Sequence, residues 1–327
     1  MPGSGTSTYD DPDDYQANLP QARIELHFIA PGAFKARLTW VQLYNLHLLR
    51  CQENLPRIGY LSLTSELIFV AFPMAPDPLP LWSGAEVQSG EIMFHSRGER
   101  LHQRTRGPCL WSLIALPPAD LEEYGRAFTR EAVLAPSAHR ILRPRPSDAA
   151  RLLRLHAQAC RLAETRPNIL VHSEVARALE QDLVHALITC LAAGVARDSG
   201  TAKRHHEQIM VRFEEVLAEE HPGSRDLPEV CELIGVTDRT LRSCCAEFLG
   251  ISPSRYLLLR RLERVRRALR NANPVTTGVA ELAQRHGFTE LGRFAGDYRR
   301  AFGELPSATL GYAHRSRFLR PISSDSA

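Results

Sequence analysis

Residues 227–253 read LPEVCELIGVTDRTLRSCCAEFLGISP, and residues 279–306 read VAELAQRHGFTELGRFAGDYRRAFGELP. Each stretch opens with a short apolar-faced segment in which a small residue stands four before a glycine: Cys231 and Gly235, then Ala283 and Gly287. A small side chain lets two helices approach closely, and glycine tolerates the left-handed backbone that a tight turn between helices needs. One apolar residue and then Thr follow each glycine, as Val236–Thr237 and Phe288–Thr289, and Thr is a good N-cap for the next helix. That helix begins with polar residues and turns Leu241 or Phe294 inward. The two glycines are 52 residues apart. One such pattern occurs in many helical hairpins, but two in tandem predict a repeated helix–turn–helix unit.

Between the repeats, residues 251–271 read ISPSRYLLLRRLERVRRALRN. Ser252–Pro253 starts a helix, with Pro in the first turn. Tyr256, Leu259, Leu262, Val265 and Leu269 recur at helical spacing, and Arg260, Arg261, Arg264, Arg266, Arg267 and Arg270 cover much of the remaining surface. A helix of this length is a rod of about 27 Å. It can hold two outward helices about one turn of DNA apart, roughly 34 Å.

Taken together, G-[VF]-T, G-I-S-P-x-x-Y, the R-L-E-R-V-R-R-A-L helix and G-F-T-x-x-x-x-F-x-x-x-Y-R-R-x-F-G-x-x-P resemble the DNA-binding module of the AraC/XylS family. The resemblance covers about residues 205–312. It implies seven helices and two reading helices in successive major grooves of double-stranded DNA. Carried over by position, Arg239, Arg242 and Ser243 match base-contacting places in the first unit, with Asp238 and Thr240 at the rim. In the second unit the matching places are Leu291, Gly292, Arg293, Ala295 and Gly296. Arg is the commonest partner of guanine, and Leu291 can meet a thymine methyl. Backbone amides at Thr237 and Thr289 suit phosphate, as does Arg267 on the connecting helix. For each Arg the plainer alternatives are a phosphate contact or a solvated surface. Cys231 and Cys245 depart from the family's usual Ala and Phe, which loosens the expected packing of the first unit. Gly292 and Gly296 each cost a helix about 0.5–1 kcal/mol against Ala.

Charge points the same way. The chain of 327 residues carries a net charge of only +3, yet Arg239 to Arg320 holds 16 Arg, no Lys and 6 acidic residues. The planar fork of Arg suits bidentate contacts to phosphate and guanine. Such asymmetry suggests a nucleic-acid-binding part joined to a near-neutral or acidic partner domain; solvated helix faces account for some of it.

The reading upstream is of another kind. Residues 1–20 look like a disordered tail, rich in Gly, Ser, Asp and Pro. Residues 21–146 read as a β-rich domain, with runs at Leu67–Phe72, Glu91–His95 and Leu110–Leu116 punctuated by Pro and Gly. Several short strands of this kind predict a small barrel or sandwich. By position and strand pattern this part resembles the cupin-like sensor half of related regulators, which can bind a small effector. Trp40, Trp82 and Trp111 are candidates to line a pocket or simply to pack the core. His95 and His102 invite a metal reading, but the H-x-H and Glu pattern of metal-holding cupins is absent, so neither metal nor cofactor is expected. From residue 147, Ser147 and Asp148 offer an N-cap. The leucines Leu183, Leu187 and Leu191 form a stripe that is either a core face or a homodimer interface. The expected organisation is thus α+β: a cupin-like barrel, a helical dimerisation segment over 147–200, an all-α double helix–turn–helix over 201–312, and a flexible tail over 313–327, with a short polar linker over 200–204 at the junction of the two helical parts.

The start MPGSGTSTYDDPDDY lacks a basic and apolar signal, and the longest apolar stretch, Ala186 to Ala196, is too short to span a bilayer, so a cytoplasmic location is expected. Seven cysteines without a C-x-x-C pair fit neither a disulfide framework nor a zinc site, and the adjacent Cys244 and Cys245 read as buried apolar residues. The function these features imply is sequence-specific transcriptional regulation: an activator that answers a small effector and contacts RNA polymerase, without enzymatic activity. The alternatives are a cupin-type enzyme or a DNA alkyl-repair protein carrying the same module, and each lacks the metal-ligand spacing its chemistry needs.

Overall fold

The computed structural model describes residues 2–19, 22–75, 78–197, 201–219 and 225–311. The chain divides into two compact units. One comprises Met1–Leu26 with Ala33–His205, the other His27–Gly32 with His206–Ala327.

The first unit is built on strands β1 (Gly3–Tyr9), β2 (Ala22–Phe28), β3 (Ala36–Gln42), β4 (His47–Glu53), β5 (Arg57–Leu63), β6 (Ile68–Pro73), β7 (Leu81–Trp82), β8 (Ala85–Glu86), β9 (Ile92–Phe94), β10 (Arg100–Arg104), β11 (Cys109–Leu116), β12 (Arg140–Arg143) and β13 (Val195–Ala196). They form two sheets, in the orders β1-β3-β4-β11-β6-β9-β12-β13 and β2-β5-β10-β7-β8. The three strand runs read from sequence correspond to β6, β9 and β11. The expected closed barrel is not found: both sheets are open among the described residues. The two-residue strands β7 and β8 offer too short a ladder to bridge from one sheet to the other.

Helices α1 (Pro12–Ala17), α2 (Pro118–Thr129), α3 (Pro146–Thr165) and α4 (Ser173–Ala193) complete this unit. The expected loose tail is ordered over β1 and α1. Strand β1 pairs with β3 from Gly3↔Gln42 to Tyr9↔Ala36, and the Asp11 carboxylate caps α1 by accepting from Asp13 N at 2.8 Å. Tyr15, a large side chain in a polar stretch, anchors it: wholly buried, it donates to Glu53 Oε1 at 2.7 Å. Glu53 also accepts from Arg57 Nε at 2.7 Å and Trp111 Nε1 at 3.1 Å, a buried polar knot that composition did not reveal. Ser147 and Asp148 lie inside the first turn of α3 rather than at its cap, because Pro146 already occupies N1.

The apolar stripe of α4 is a core face. Leu183 and Leu187 are fully buried and Leu191 is 8% exposed, packed with Leu48, Val70 and Ile114 of the larger sheet. These leucines are therefore not an open dimer interface, since the sheet already occupies the face they present.

The second unit holds α5 (Thr201–Ala218) from His206 onward, α6 (Leu227–Ile234), α7 (Asp238–Phe248), α8 (Pro253–Asn271), α9 (Val279–Arg285) and α10 (Leu291–Phe302), with 306–311 also helical. That makes seven helical stretches among the described residues, the number the resemblance implies. The helix starting at Thr201 replaces the linker expected over 201–204; position 200 and the expected tail at 313–327 lie outside the described residues. All five residues of the expected α8 stripe are buried.

Candidate nucleic-acid interface

The two turns read from sequence are closed by the same hydrogen bonds. Val236 N donates to Cys231 O and Phe288 N to Ala283 O, each at 3.0 Å. Gly235 and Gly287 sit at φ of 74° and 79°, the left-handed region that favours glycine. Cys231 and Ala283 are buried at 7% and 0%, and Cys244 and Cys245 are fully buried as small apolar residues. The cysteine departures have thus left a filled core.

The units then diverge. In the first, Thr237 is the N-cap of α7, and its hydroxyl accepts from Thr240 N at 3.2 Å. In the second, α10 begins at Leu291, its N-cap is Glu290, and no side chain closes the cap. Thr289 therefore does not cap, contrary to expectation, because the turn runs one residue further. From the start of the outward helix the repeat period is 53 residues, as the buried pair Leu241 and Phe294 shows. In that register Arg239, Arg242 and Ser243 correspond to Gly292, Ala295 and Gly296, while Arg293 corresponds to the rim residue Thr240.

On α7, Arg239, Arg242 and Ser243 are all exposed, with Thr240 half-buried behind them. Arg242 Nε donates to Asp238 Oδ2 at 2.7 Å, one helical turn back. On α10, Gly292, Arg293 and Gly296 are exposed and Leu291 half-buried. A Cβ added at either glycine would meet nothing within 4 Å. Burial, reinforced by Arg264 and Arg285, lowers the pKa of His286 at the second turn, so it stays neutral there.

Helix α8 spends part of its basic surface on the fold, which its sequence did not disclose. Arg260 pairs with the buried Glu214, which also accepts from Tyr256 Oη at 2.7 Å. Arg261 lies over the Phe288 ring at 5.3 Å and Arg266 over Phe302 at 4.6 Å. Arg264 is exposed, and Arg267 and Arg270 are half-buried.

Upstream, His95 and His102 are both 3% exposed. The Nδ1 atoms of His95 and His139 lie 3.1 and 2.8 Å from the Glu99 carboxylate, and these histidines hold Glu99 at about 2 against the opposing effect of its burial. His102 stacks against Tyr60. Among the described residues no three His, Cys, Asp or Glu are grouped to hold a metal ion, and no helix is long and apolar enough to cross a membrane.

This geometry coincides with a known family. A family model described as a helix-turn-helix domain matches residues 230–312, taking in both turns and both outward helices. The "XylDLEGF operon transcriptional activator 2" of Pseudomonas putida is 34% identical over 124 residues, which cover 38% of this chain and 77% of that protein. The chain belongs to the AraC/XylS family. A second AraC/XylS-type relative, the "Probable thc operon regulatory protein" of Rhodococcus erythropolis, is 42% identical over 82 residues, a quarter of each protein. With the longer "XylDLEGF operon transcriptional activator" of P. putida the match spans 38% of the relative's length. A solved "probable AraC family transcriptional regulator" from Rhodopseudomonas palustris is 30% identical, covering 34% of this chain and 97% of that one at a TM-score of 0.28.

Proposed function

We propose that this chain is a sequence-specific DNA-binding regulator of transcription. The observation that carries the reading is the pair of turns sharing one closing hydrogen bond and a left-handed glycine, each presenting an outward helix, joined by an Arg-faced rod of about 28 Å. Arg239, Arg242 and Ser243 read base edges from α7. Arg293 and Leu291 touch DNA from α10. The amides at Thr237 and Thr289, together with Thr240 and Arg267, hold the phosphate backbone. The test is a salt titration of the full-length protein on DNA selected from random sequence. Six or so Arg–phosphate contacts give a log–log slope of roughly −5, and Arg267→Ala lowers its magnitude by about 1. A response flat in salt overturns the reading.

The finer reading is an activator that works in the cytoplasm, answers a small-molecule effector bound in the first unit and contacts RNA polymerase. The names of the P. putida relatives support activation. Pairing into a homodimer belongs to the same reading. It requires a surface other than the leucine stripe, such as the exposed side of α3 and α4 around Arg151 and Asp182. Sedimentation of the full chain at micromolar concentration decides this, and the mass of a single chain overturns the dimer. In this reading the sensor half is a two-sheet sandwich, cupin-like in its strand pattern.

A further inference from the structure

Between the two sheets of the first unit lies a buried cavity of about 30 Å³, walled by leucines, Trp82 and Trp111. Two buried polar atoms belonging to residues of this wall have no hydrogen-bond partner: Trp82 Nε1 and Gln103 Oε1. Their residues are 1% and 2% exposed. They stand opposite each other in the β7–β10 ladder, so their side chains leave the sheet on the same face. One atom donates only and the other accepts only. Buried polar groups are nearly always paired in folded proteins, and such a couple is the footprint of an occupant.

A second space adjoins the cavity across two shared wall residues. Leu49 and Leu113 line it and also line an open cleft of about 360 Å³, whose rim carries Trp40, Gln42 and His47. That volume lies within the usual range for small-molecule sites, roughly 300–1,000 Å³. Among the described residues, no Lys, Arg, Asp or Glu lines either space. Burial lowers the pKa of His47, so the rim stays neutral. His95, at the inner wall, has its Nδ1 engaged by Glu99. With His95 already paired to Glu99, a carboxylate or ammonium entering here would lose its hydration without meeting an unpaired counter-charge.

We propose that the double cavity binds an uncharged, mostly apolar small molecule carrying one alcohol or primary amide group. The apolar body fills the outer cleft. The polar group reaches across the paired Leu49 and Leu113, accepts from Trp82 Nε1 and donates to Gln103 Oε1. This rests on reading the chain as an effector-responsive regulator and names the chemical class of the effector.

The test titrates the full-length protein, followed by tryptophan fluorescence and calorimetry, with four probes sharing one ring: benzyl alcohol, benzamide, benzoate and benzylammonium. The neutral pair binds at millimolar concentration, and the charged pair binds at least about tenfold more weakly. Gln103→Leu and Trp82→Phe each weaken benzyl alcohol about fivefold, the worth of one hydrogen bond. Leu49→Trp, which fills the throat, abolishes binding. Thermal melting identifies any variant that fails to fold, and Gln103→Leu leaves the tryptophans in place. Equal or tighter binding of a charged probe overturns the proposal, as does neutral binding unchanged in both polar variants. Failure of both neutral probes also overturns it and leaves the inner cavity to water. DNA binding measured without probes keeps the two readings apart: lost ligand binding with intact DNA binding sinks only this inference.

Discussion

The two helix–turn–helix units share a scaffold and differ in the surface they present. Their turns close with matching hydrogen bonds and matching glycines, and each outward helix docks one large side chain, Leu241 or Phe294, into the core. Yet α7 is capped by Thr237 and carries Arg, Arg and Ser at three outward positions, whereas α10 lacks a side-chain cap and carries Gly, Ala and Gly at the equivalent ones. Packing fixes where a helix lies, and its outward side chains fix what it can discriminate. The first unit thus offers side chains able to hydrogen-bond where the second offers bare helix.

The largest expected effects test the shared part. Leu241→Ala should cost about 2–5 kcal/mol and Phe294→Ala about 3–5 kcal/mol, measured by denaturant unfolding. The aromatic loss is the greater because Phe294 packs against both Phe288 and Tyr298, with ring centroids 4.7 and 5.7 Å away. A loss below about 1 kcal/mol at either position would show that the two helices are not docked alike.

Next come the arginines proposed to touch DNA. Arg239→Ala should cost about 1–3 kcal/mol of DNA affinity and relax one base position. Arg293→Ala, in the register of the rim residue Thr240, should cost about 1 kcal/mol and leave the preferred sequence intact. Selected-site experiments on wild type and both variants decide the matter. If Arg293→Ala relaxes a base while Arg239→Ala does not, the contrast between the helices is reversed, and DNA shape becomes the explanation to pursue for the first half-site.

The repeat was legible because its signals are local: a glycine at positive φ, a small residue four before it and a helical stripe constrain a turn wherever the chain folds. The one-residue lengthening before α10 was not legible, because Thr289 has the chemistry of a cap and only the docking of Phe294 moves the helix start past it. Upstream, the strand runs were readable from apolar alternation, but the fate of Leu183, Leu187 and Leu191 depended on a sheet contributed by distant residues. The order of β1 and α1 likewise rests on Tyr15 finding Glu53, 38 residues away, which composition cannot foresee. Asp238 and Arg242, four apart on a helix, were in reach of sequence reasoning as an i,i+4 pair.

That pair makes a smaller, sharper test. Only Nε of the exposed Arg242 is engaged by Asp238, which leaves two terminal nitrogens for a bidentate contact. Asp238 and Arg242 side chains are 52% and 54% exposed, so the solvent-screened ion pair adds little to stability. Asp238→Ala should therefore leave the unfolding midpoint nearly unchanged while lowering the ratio of specific to non-specific DNA affinity. A variant whose ratio stays at the wild-type value would show that Arg242 does not need the carboxylate to find its target.

The smallest effects belong to the glycines of α10, where stability and binding should move in opposite directions. A Cβ at Gly292 or Gly296 meets nothing in the free protein, so Gly292→Ala and Gly296→Ala should each stabilise the fold by about 0.5–1 kcal/mol through helix propensity alone. If these positions are bare so that the helix backbone can lie close to DNA, the added methyl groups reduce affinity despite the firmer helix, by less than Arg239→Ala does. Melting curves and DNA titrations on the same two variants separate the terms. Higher stability with unchanged or improved DNA affinity would mean that α10 stands off from DNA. The second unit would then act through Arg293 and the scaffold arginines, and the bare face of α10 would reflect distance and not a smooth contact with DNA.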